Sequence, residues 1–87
     1  MKRIKVNISQ EDIDYGVRKS SDHCAISCAI RKQFNTADVF TGLESCLIQD
    51  IRYYLSTRAR KFVIHFDIDK KLVKPTTFIF TNYDLRD

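Results

Sequence analysis

The sequence predicts an α+β fold in which two helices cover one face of an antiparallel-type sheet, in the order β-α-β-β-α-β of a split βαβ-like sandwich. Apolar residues alternate with polar ones near both ends of the chain, which is typical of half-buried strands. Two stretches, at about 23–34 and 57–66, carry apolar residues at helical spacing. With 87 residues, the chain has enough apolar surface for one modest core.

The first strand is predicted from Lys2 to Ser9, where every second residue is apolar: Ile4, Val6 and Ile8. Ser9 precedes Asp12 by three residues, which is the spacing of a helix N-terminal capping box. We therefore expect one helical turn after the strand, closed by Gly16, and then a polar loop at 17–22.

The first main helix is predicted from about His23 to Phe34, with Asp22 as its N-cap. At 100° per residue, one face holds Ile26, Ala29, Ile30 and Gln33, with Ala25 at its edge. The opposite side holds Cys24, Cys28 and Arg31, so these two cysteines are predicted to be only partly buried.

The middle of the chain allows two interpretations. A second strand is predicted at Ala37–Thr41, ended by Gly42. The following stretch fits a helical stripe, but it also fits a strand from Cys46 to Leu55 with one face formed by Leu47, Ile51, Tyr53 and Leu55. The strand gives the four-stranded order above, whereas the helix would merge 43–66 into one long helix and leave three strands. The strand is preferred because a smaller sheet buries less apolar surface.

The second main helix is predicted to start after Ser56 or Thr57 and to end near His65 or Phe66. Its core face holds Ala59, Phe62, Val63 and Phe66, and its outer side holds Arg60, Lys61 and Ile64. A charged turn covers Asp67–Lys74, Pro75 prevents a helix from continuing, and the last strand is predicted at Thr77–Thr81.

Composition restricts the class of protein. Three cysteines cannot form a closed set of disulfides, and no apolar run approaches the ~18 residues that span a bilayer. The start of the chain alternates instead of forming the apolar stretch of a signal peptide. We therefore expect a single compact domain over 1–87, cytoplasmic, with reduced cysteines and no membrane partner. The net charge of +4 is only a weak indication of acidic or phosphate-bearing partners.

Several short motifs in this order resemble a group of small, mostly uncharacterised phage and prophage proteins. The likeness covers most of the chain and lies in Ile4-Lys5-Val6, Ser9–Ile13, Gly16, Cys24-Ala25-Ile26, Ala29-Ile30, Phe62, Phe66-Asp67, Val73-Lys74-Pro75 and Phe78. This chain departs from the group at two places. The group typically has a proline where Ala25 stands, and it has at most one residue between the proline and the aromatic residue of the last motif, where this chain has Thr76 and Thr77. Tyr53-Tyr54-Leu55-Ser56 resembles the Tyr-x-Leu-Pro-like strand end that usually precedes the group's second helix, which favours the strand interpretation.

This resemblance implies a phage accessory protein acting in the cytoplasm of the host cell. The function that it suggests is antagonism of a host defence system, in the manner of an anti-CRISPR protein, by stoichiometric binding without catalysis. The partner would be a host defence protein or a ribonucleoprotein effector. Neither a cofactor nor an oligomeric state is indicated.

Candidate catalytic and metal-binding groups are few. His23 lies beside Cys24, but neighbouring residues on a helix point about 100° apart, so sequence proximity does not place an imidazole on a thiol. Cys24 and Cys28 share a helix face, yet a structural zinc site needs four ligands. We therefore predict that the cysteines pack as small apolar residues. No catalytic residue and no metal ligand is expected.

The candidate binding site is a basic stretch beside two tyrosines: Arg52, Tyr53, Tyr54, Arg58, Arg60 and Lys61. No acidic residue interrupts the stretch from 51 to 61. Guanidinium groups bind phosphates and aromatic faces stack on bases, so an alternative function is binding of nucleic acid or a small nucleotide, including a sponge for a signalling nucleotide. The competing structural interpretation is a tyrosine in the core beside a solvated helix face. A strand signature of sequence-specific RNA readers is absent from the sequence.

Overall fold

A computed structural model describes residues 2–83. The predicted fold class is confirmed: helices lie against one face of an antiparallel sheet in a small α+β fold. In chain order, the described elements are β1 (Lys2–Ile8), α1 (Gln10–Tyr15), α2 (Ala25–Phe34), β2 (Val39–Thr41), β3 (Ser45–Ile48), β4 (Ile51–Tyr54), α3 (Thr57–Ile68), a 3-10 turn (Lys70–Leu72) and β5 (Thr76–Asn82).

The sheet has five strands in the order β1-β5-β4-β3-β2, and all neighbours are antiparallel. The first and last strands share one sheet, as the alternation at both ends predicts. They are direct neighbours, paired from Lys2 opposite Asn82 to Ile8 opposite Thr76. The other side of the sheet is a meander of three short strands, and Tyr54 of β4 pairs with Thr81 of β5 to join the two parts.

The stretch from Cys46 to Leu55 is extended, which confirms the preference for strand over helix, but the prediction of one strand is wrong because the stretch is a hairpin of β3 and β4. Its two-residue turn is formed by Gln49 and Asp50, whose φ angles are 51° and 66°. Positive φ at both positions is the pattern of a type I′ hairpin turn, which normally needs glycine or asparagine. Neither residue is present, and Asp50 alone is a weak turn signal, so the sequence does not predict this turn. The hairpin gives the sheet five strands instead of the expected four.

The core lies between the helices and one face of the sheet. The strands contribute Val6, Val39, Cys46, Tyr53, Phe78 and Phe80, and the two main helices contribute the apolar faces predicted for them: Ala25, Ile26, Ala29, Ile30, Ala59, Phe62 and Phe66, with Val63 partly buried. An aromatic contact connects α3 to the sheet: Phe62 packs edge to face on Phe78, which stacks along Phe80 within β5.

The short helix α1 is held by the predicted capping box. The Ser9 hydroxyl accepts a hydrogen bond from the Asp12 N–H, and the Asp12 carboxylate accepts one from the Ser9 N–H. Lys32 of α2 contacts the same carboxylate at 2.8 Å, and this bond raises the pKa of the lysine. Gly16 follows at a point where a Cβ would lie 2.7 Å from the Ala25 nitrogen and 2.9 Å from the Phe66 ring. Glycine is therefore required by close packing here.

Helix α2 starts later than predicted, with Cys24 and not Asp22 as its N-cap. The Asp22 carboxylate instead binds its neighbours, accepting from the Ser20 hydroxyl at 2.9 Å and contacting His23 Nδ1 at 3.0 Å. Cys24 is buried, contrary to the prediction, because it precedes α2 as its N-cap and its thiol donates to the buried Ser27 hydroxyl at 3.6 Å. Cys28 is half-buried as expected.

Helix α3 begins after Ser56, whose hydroxyl accepts from the Ala59 N–H. It extends to Ile68, two or three residues beyond the predicted end at His65 or Phe66, and the predicted charged turn contains a 3-10 turn. Asp67 and Asp69 each accept a backbone hydrogen bond, from Lys19 and Lys71 respectively. These two carboxylates therefore stabilise the turns around the end of α3.

Candidate nucleic-acid interface

The face of the sheet opposite the core carries the candidate site. Directly opposed residues in antiparallel strands lie on the same face, so the register assigns each side chain. Lys5 lies opposite Ile79, Arg52 opposite Leu47, and Leu47 opposite Phe40. We call this surface the open face, and its strand residues are Arg3, Lys5, Asn7, Phe40, Ser45, Leu47, Arg52, Tyr54, Thr77, Ile79 and Thr81.

Large side chains on the open face remain accessible. Phe40 and Ile79 are each 48% exposed and Tyr54 is 43% exposed. Strand residues of such size are normally buried against a second layer. Here about half of each of these three side chains is accessible to a partner. The open face therefore presents three separate apolar or aromatic contact points.

The charge on the open face has one sign. Arg3, Lys5 and Arg52 project from it, and among the strands described here it has no acidic side chain. The three cations stand on β1 and β4, on either side of β5. Between them lie the hydroxyl groups of Thr77 and Thr81, which can donate or accept hydrogen bonds. Such a surface favours an anion with flat apolar groups.

A groove of about 350 Å³ lies where β4 meets α3, and its lining is Glu44, Tyr54, Leu55, Arg60 and Tyr83. The rings of Tyr54 and Tyr83 pack against each other, with centroids 5.7 Å apart and planes tilted by 49°. Because Tyr54 also belongs to the open face, the groove continues that surface around the end of the sheet.

The structure separates the six residues that the sequence proposes as a binding site. Arg52 and Tyr54 lie on the open face, and Arg60 reaches the groove beside Tyr54. Tyr53 is only 4% exposed and packs in the core, as the competing structural interpretation holds for one tyrosine. It therefore offers no face to a ligand.

The two remaining members lie elsewhere. The Arg58 guanidinium donates a hydrogen bond to the Thr76 hydroxyl at 2.9 Å and lies over the Phe78 ring, 5.3 Å from its centroid. Lys61 lines a different depression, together with His65 and Lys74. These side chains belong to the outer surface of α3 and are separate from the open face.

Sequence reasoning missed most of the open face. Arg3, Lys5 and Ile79 could have been found, because they are the alternate residues of the two strands that alternation predicts with most support. Phe40 and Leu47 could not, since their face depends on the register of the unrecognised hairpin. The hairpin turn reverses which alternate residues face the core, so Leu47 and Tyr53 lie on opposite faces.

The cysteines and the neighbouring histidine do not form a catalytic pair. The His23 imidazole contacts Asp22, and the hydrogen bond from His23 is the main reason that the pKa of that carboxyl is lowered. The Cys28 thiol donates to the His23 backbone carbonyl at 3.4 Å, and burial raises its pKa. Burial also raises the pKa of Cys46 to about 12. Both of these thiols are therefore protonated and weakly nucleophilic at neutral pH.

Two further findings concern residues 2–83. Within this range, His, Cys, Asp and Glu side chains do not gather into a group of three or more that could hold a metal ion. None of the helices described here is long and apolar enough to cross a membrane.

Comparison of the chain with protein-family models, with curated proteins and with solved structures finds no match. The choice between functions therefore depends on the geometry and charge of the surfaces described above.

Proposed function

We propose that the protein is a non-catalytic binding protein that holds a single-stranded nucleic acid across the open face of its sheet. One observation carries the proposal: this face combines exposed aromatic and aliphatic side chains with three cations and, within the described strands, no acid. Single-strand binders use the same combination, because cations attract the phosphates while flat side chains receive the bases.

The arrangement of the groups fits such a ligand. Arg52 and Leu47 are opposed on neighbouring strands, and Phe40 is the next residue across, so the backbone positions of the cation and the aromatic residue are about 10 Å apart. A strand lying across the sheet could place a phosphate at Arg52 and a base on Phe40. Tyr54 supplies a second stacking surface on β4.

The outer surface of α3 is a less suitable binding site for a single-stranded nucleic acid than the open face. The guanidinium of Arg58 is already engaged by Thr76 and Phe78, so a phosphate would have to compete with these contacts. Around Lys61 the exposed apolar side chain is Leu72, the Phe62 and Phe78 rings are buried, and the exposed ring in the lining is the imidazole of His65. An imidazole offers a smaller stacking surface than the Phe40 and Tyr54 rings of the open face, so this depression is the poorer site for unpaired bases.

The test compares two charge reversals of equal size. The open-face variant carries Lys5→Glu and Arg52→Glu, and the control carries Arg58→Glu and Lys61→Glu on α3. Binding of a fluorescein-labelled oligouridine is followed by fluorescence anisotropy. We expect the open-face variant to lose at least about tenfold in affinity, and the control to lose much less, because both have the same net charge. Tyr54→Ala should lose about tenfold through stacking alone.

Salt dependence provides a second measurement on the same samples. For the unaltered protein, the logarithm of the association constant should fall linearly with the logarithm of salt concentration, with a slope of about −0.7 for each phosphate neutralised. The open-face variant should show a shallower slope. This site would be contradicted if both double variants lost the same affinity for oligouridine, or if the α3 variant bound more weakly than the open-face variant.

A second candidate function is the one expected from the phage-protein resemblance, a stoichiometric inhibitor of a host defence protein or nucleoprotein effector. Phe40, Leu47 and Ile79 favour it, since contiguous apolar side chains of this kind form the buried centre of protein interfaces. The two functions separate experimentally: an inhibitor of this type would be captured with its effector from host lysate without measurable affinity for free oligonucleotides.

A further inference from the structure

The groove at the end of the sheet differs chemically from the rest of the open face. It is lined by an aromatic pair, Tyr54 and Tyr83, and by two side chains of opposite charge, Glu44 and Arg60. Tyr83 is 56% exposed, which leaves ring surface available beside Tyr54. A planar ligand can therefore stack on a tyrosine ring while polar groups approach its edges.

The backbone holds both charged residues at this place. The Glu44 carbonyl accepts a hydrogen bond from the Leu55 N–H at 2.9 Å, which holds the start of β3 beside the end of β4. Arg60 lies in the first turn of α3, where its N–H donates to the Ser56 carbonyl at 3.0 Å. Within residues 2–83, neither the Glu44 carboxylate nor the Arg60 guanidinium forms a salt bridge. The described residues therefore leave both groups available to a ligand.

Guanine is the standard base whose edges match this pair. Its O6 and N7 accept two hydrogen bonds from one arginine, and its N1–H and 2-amino group donate two parallel bonds to one carboxylate. Adenine has no O6 acceptor for an arginine fork. Cytosine and uracil lack N7, and neither presents two adjacent donors to a carboxylate.

We infer that this groove is a guanine-selective base subsite, in which the base stacks on the Tyr54 and Tyr83 pair between Glu44 and Arg60. The inference rests on the proposed function, because it assigns one base position to the strand held by the open face. It adds a selectivity that the open face alone does not provide, since stacking on Phe40 accepts any base.

The test uses labelled oligouridines in which one central uridine is replaced by guanosine, inosine or adenosine. We expect guanosine to tighten binding by about tenfold or more, and adenosine to give little gain. Inosine lacks the 2-amino group and should lose most of the gain. Glu44→Gln should abolish the preference for guanosine, while the affinity for plain oligouridine changes little.

A matched control removes a carboxylate elsewhere. Asp50→Asn neutralises an exposed acid in the hairpin turn, at a positive φ that asparagine tolerates, and it should retain the full preference. Arg60→Leu should reduce the preference as Glu44→Gln does, which covers the case in which one variant fails to fold. If plain oligouridine binds and guanosine adds nothing, the subsite is overturned and the proposed function stands. If no oligonucleotide binds, both are overturned.

Discussion

The side chain of Gln33 pairs with the backbone of Asn7 at the outer edge of the sheet, where the Asn7 N–H donates to Gln33 Oε1 at 3.1 Å. The same amide donates through Nε2 to the Lys5 carbonyl. One side chain of α2 therefore makes the two hydrogen bonds that a neighbouring strand would make to β1 at this point. An unpaired strand edge is a template for pairing with another chain, and Gln33 occupies the middle of it.

Removing this side chain should expose the edge. Gln33→Ala should lower the free energy of unfolding by about 1 kcal/mol, since hydrogen bonds of this kind contribute modestly. It should also increase self-association relative to the unaltered chain, measured by sedimentation velocity over a range of concentrations. Gln10→Ala is the control, because Gln10 is exposed and its side chain bonds to Asp14 within α1. Equal self-association of the two variants would contradict a protective role for Gln33.

The aromatic contact between α3 and β5 should carry much of the stability. Phe62 is 7% exposed and packs on Phe78 with ring centroids 5.4 Å apart. Phe62→Ala should cost about 3 to 5 kcal/mol in urea denaturation, because the cavity cannot close. Ile64→Ala, on the exposed side of the same helix, should cost less than about 1 kcal/mol. A similar cost for both would place Phe62 outside the core.

The hairpin turn offers a stabilising change. Gln49 and Asp50 both adopt positive φ, a conformation that costs most side chains free energy. Replacing them by Asn and Gly should raise the free energy of unfolding by about 0.5 to 1 kcal/mol, because this pair favours the type I′ turn. The double change to alanine keeps the unfavourable backbone and should give no gain. Thermal denaturation of the three proteins provides the comparison.

Alkaline pH should destabilise the fold through Cys46. Burial raises the pKa of this thiol from 9.0 to about 12, so the folded state keeps a proton that the unfolded chain releases above pH 9. The contribution of this proton to the free energy of unfolding is fully present below pH 9. It decreases between pH 9 and about pH 12, by at most about 1.4 kcal/mol per pH unit. Cys46→Ala should reduce the alkaline slope of stability against pH in urea titrations. An unchanged slope would mean that Cys46 does not contribute to it.

The predictable parts of this fold are those in which local pattern and tertiary burial agree. The alternation in β1 and β5, the apolar faces of α2 and α3, and the capping box of Ser9 and Asp12 are all properties of neighbouring residues. The hairpin was not predictable, because Gln49 adopts positive φ against its intrinsic preference and Asp50 by itself is only a weak turn signal. Pairing of β3 and β4 with the rest of the sheet stabilises a turn that the local sequence does not favour.

The composition of the candidate site depends on the same hairpin turn, which the sequence does not predict. Adjacent residues of a strand point to opposite faces, so Tyr53 and Tyr54 could not both face a ligand. The register of the hairpin decides between them, since Tyr53 lies opposite the buried Cys46 and Tyr54 opposite Ser45. The cluster of basic residues in the sequence is likewise divided once Arg52 lies on the sheet and Arg58 on the helix.

The pairing of β1 with β5 also determines the order in which the chain can fold. Residues 2–8 bond to residues 76–82, so nearly the whole described chain lies between the two partners. The meander from β2 to β4 joins residues close in sequence, and hairpins of this kind form in microseconds. Closing the long loop costs entropy before its contacts form. We therefore expect the meander and α3 to assemble first, and β1 to dock late onto β5. Until it docks, both Phe78 and Phe80 lack one of their neighbours, and folding on the ribosome cannot finish before β5 has emerged.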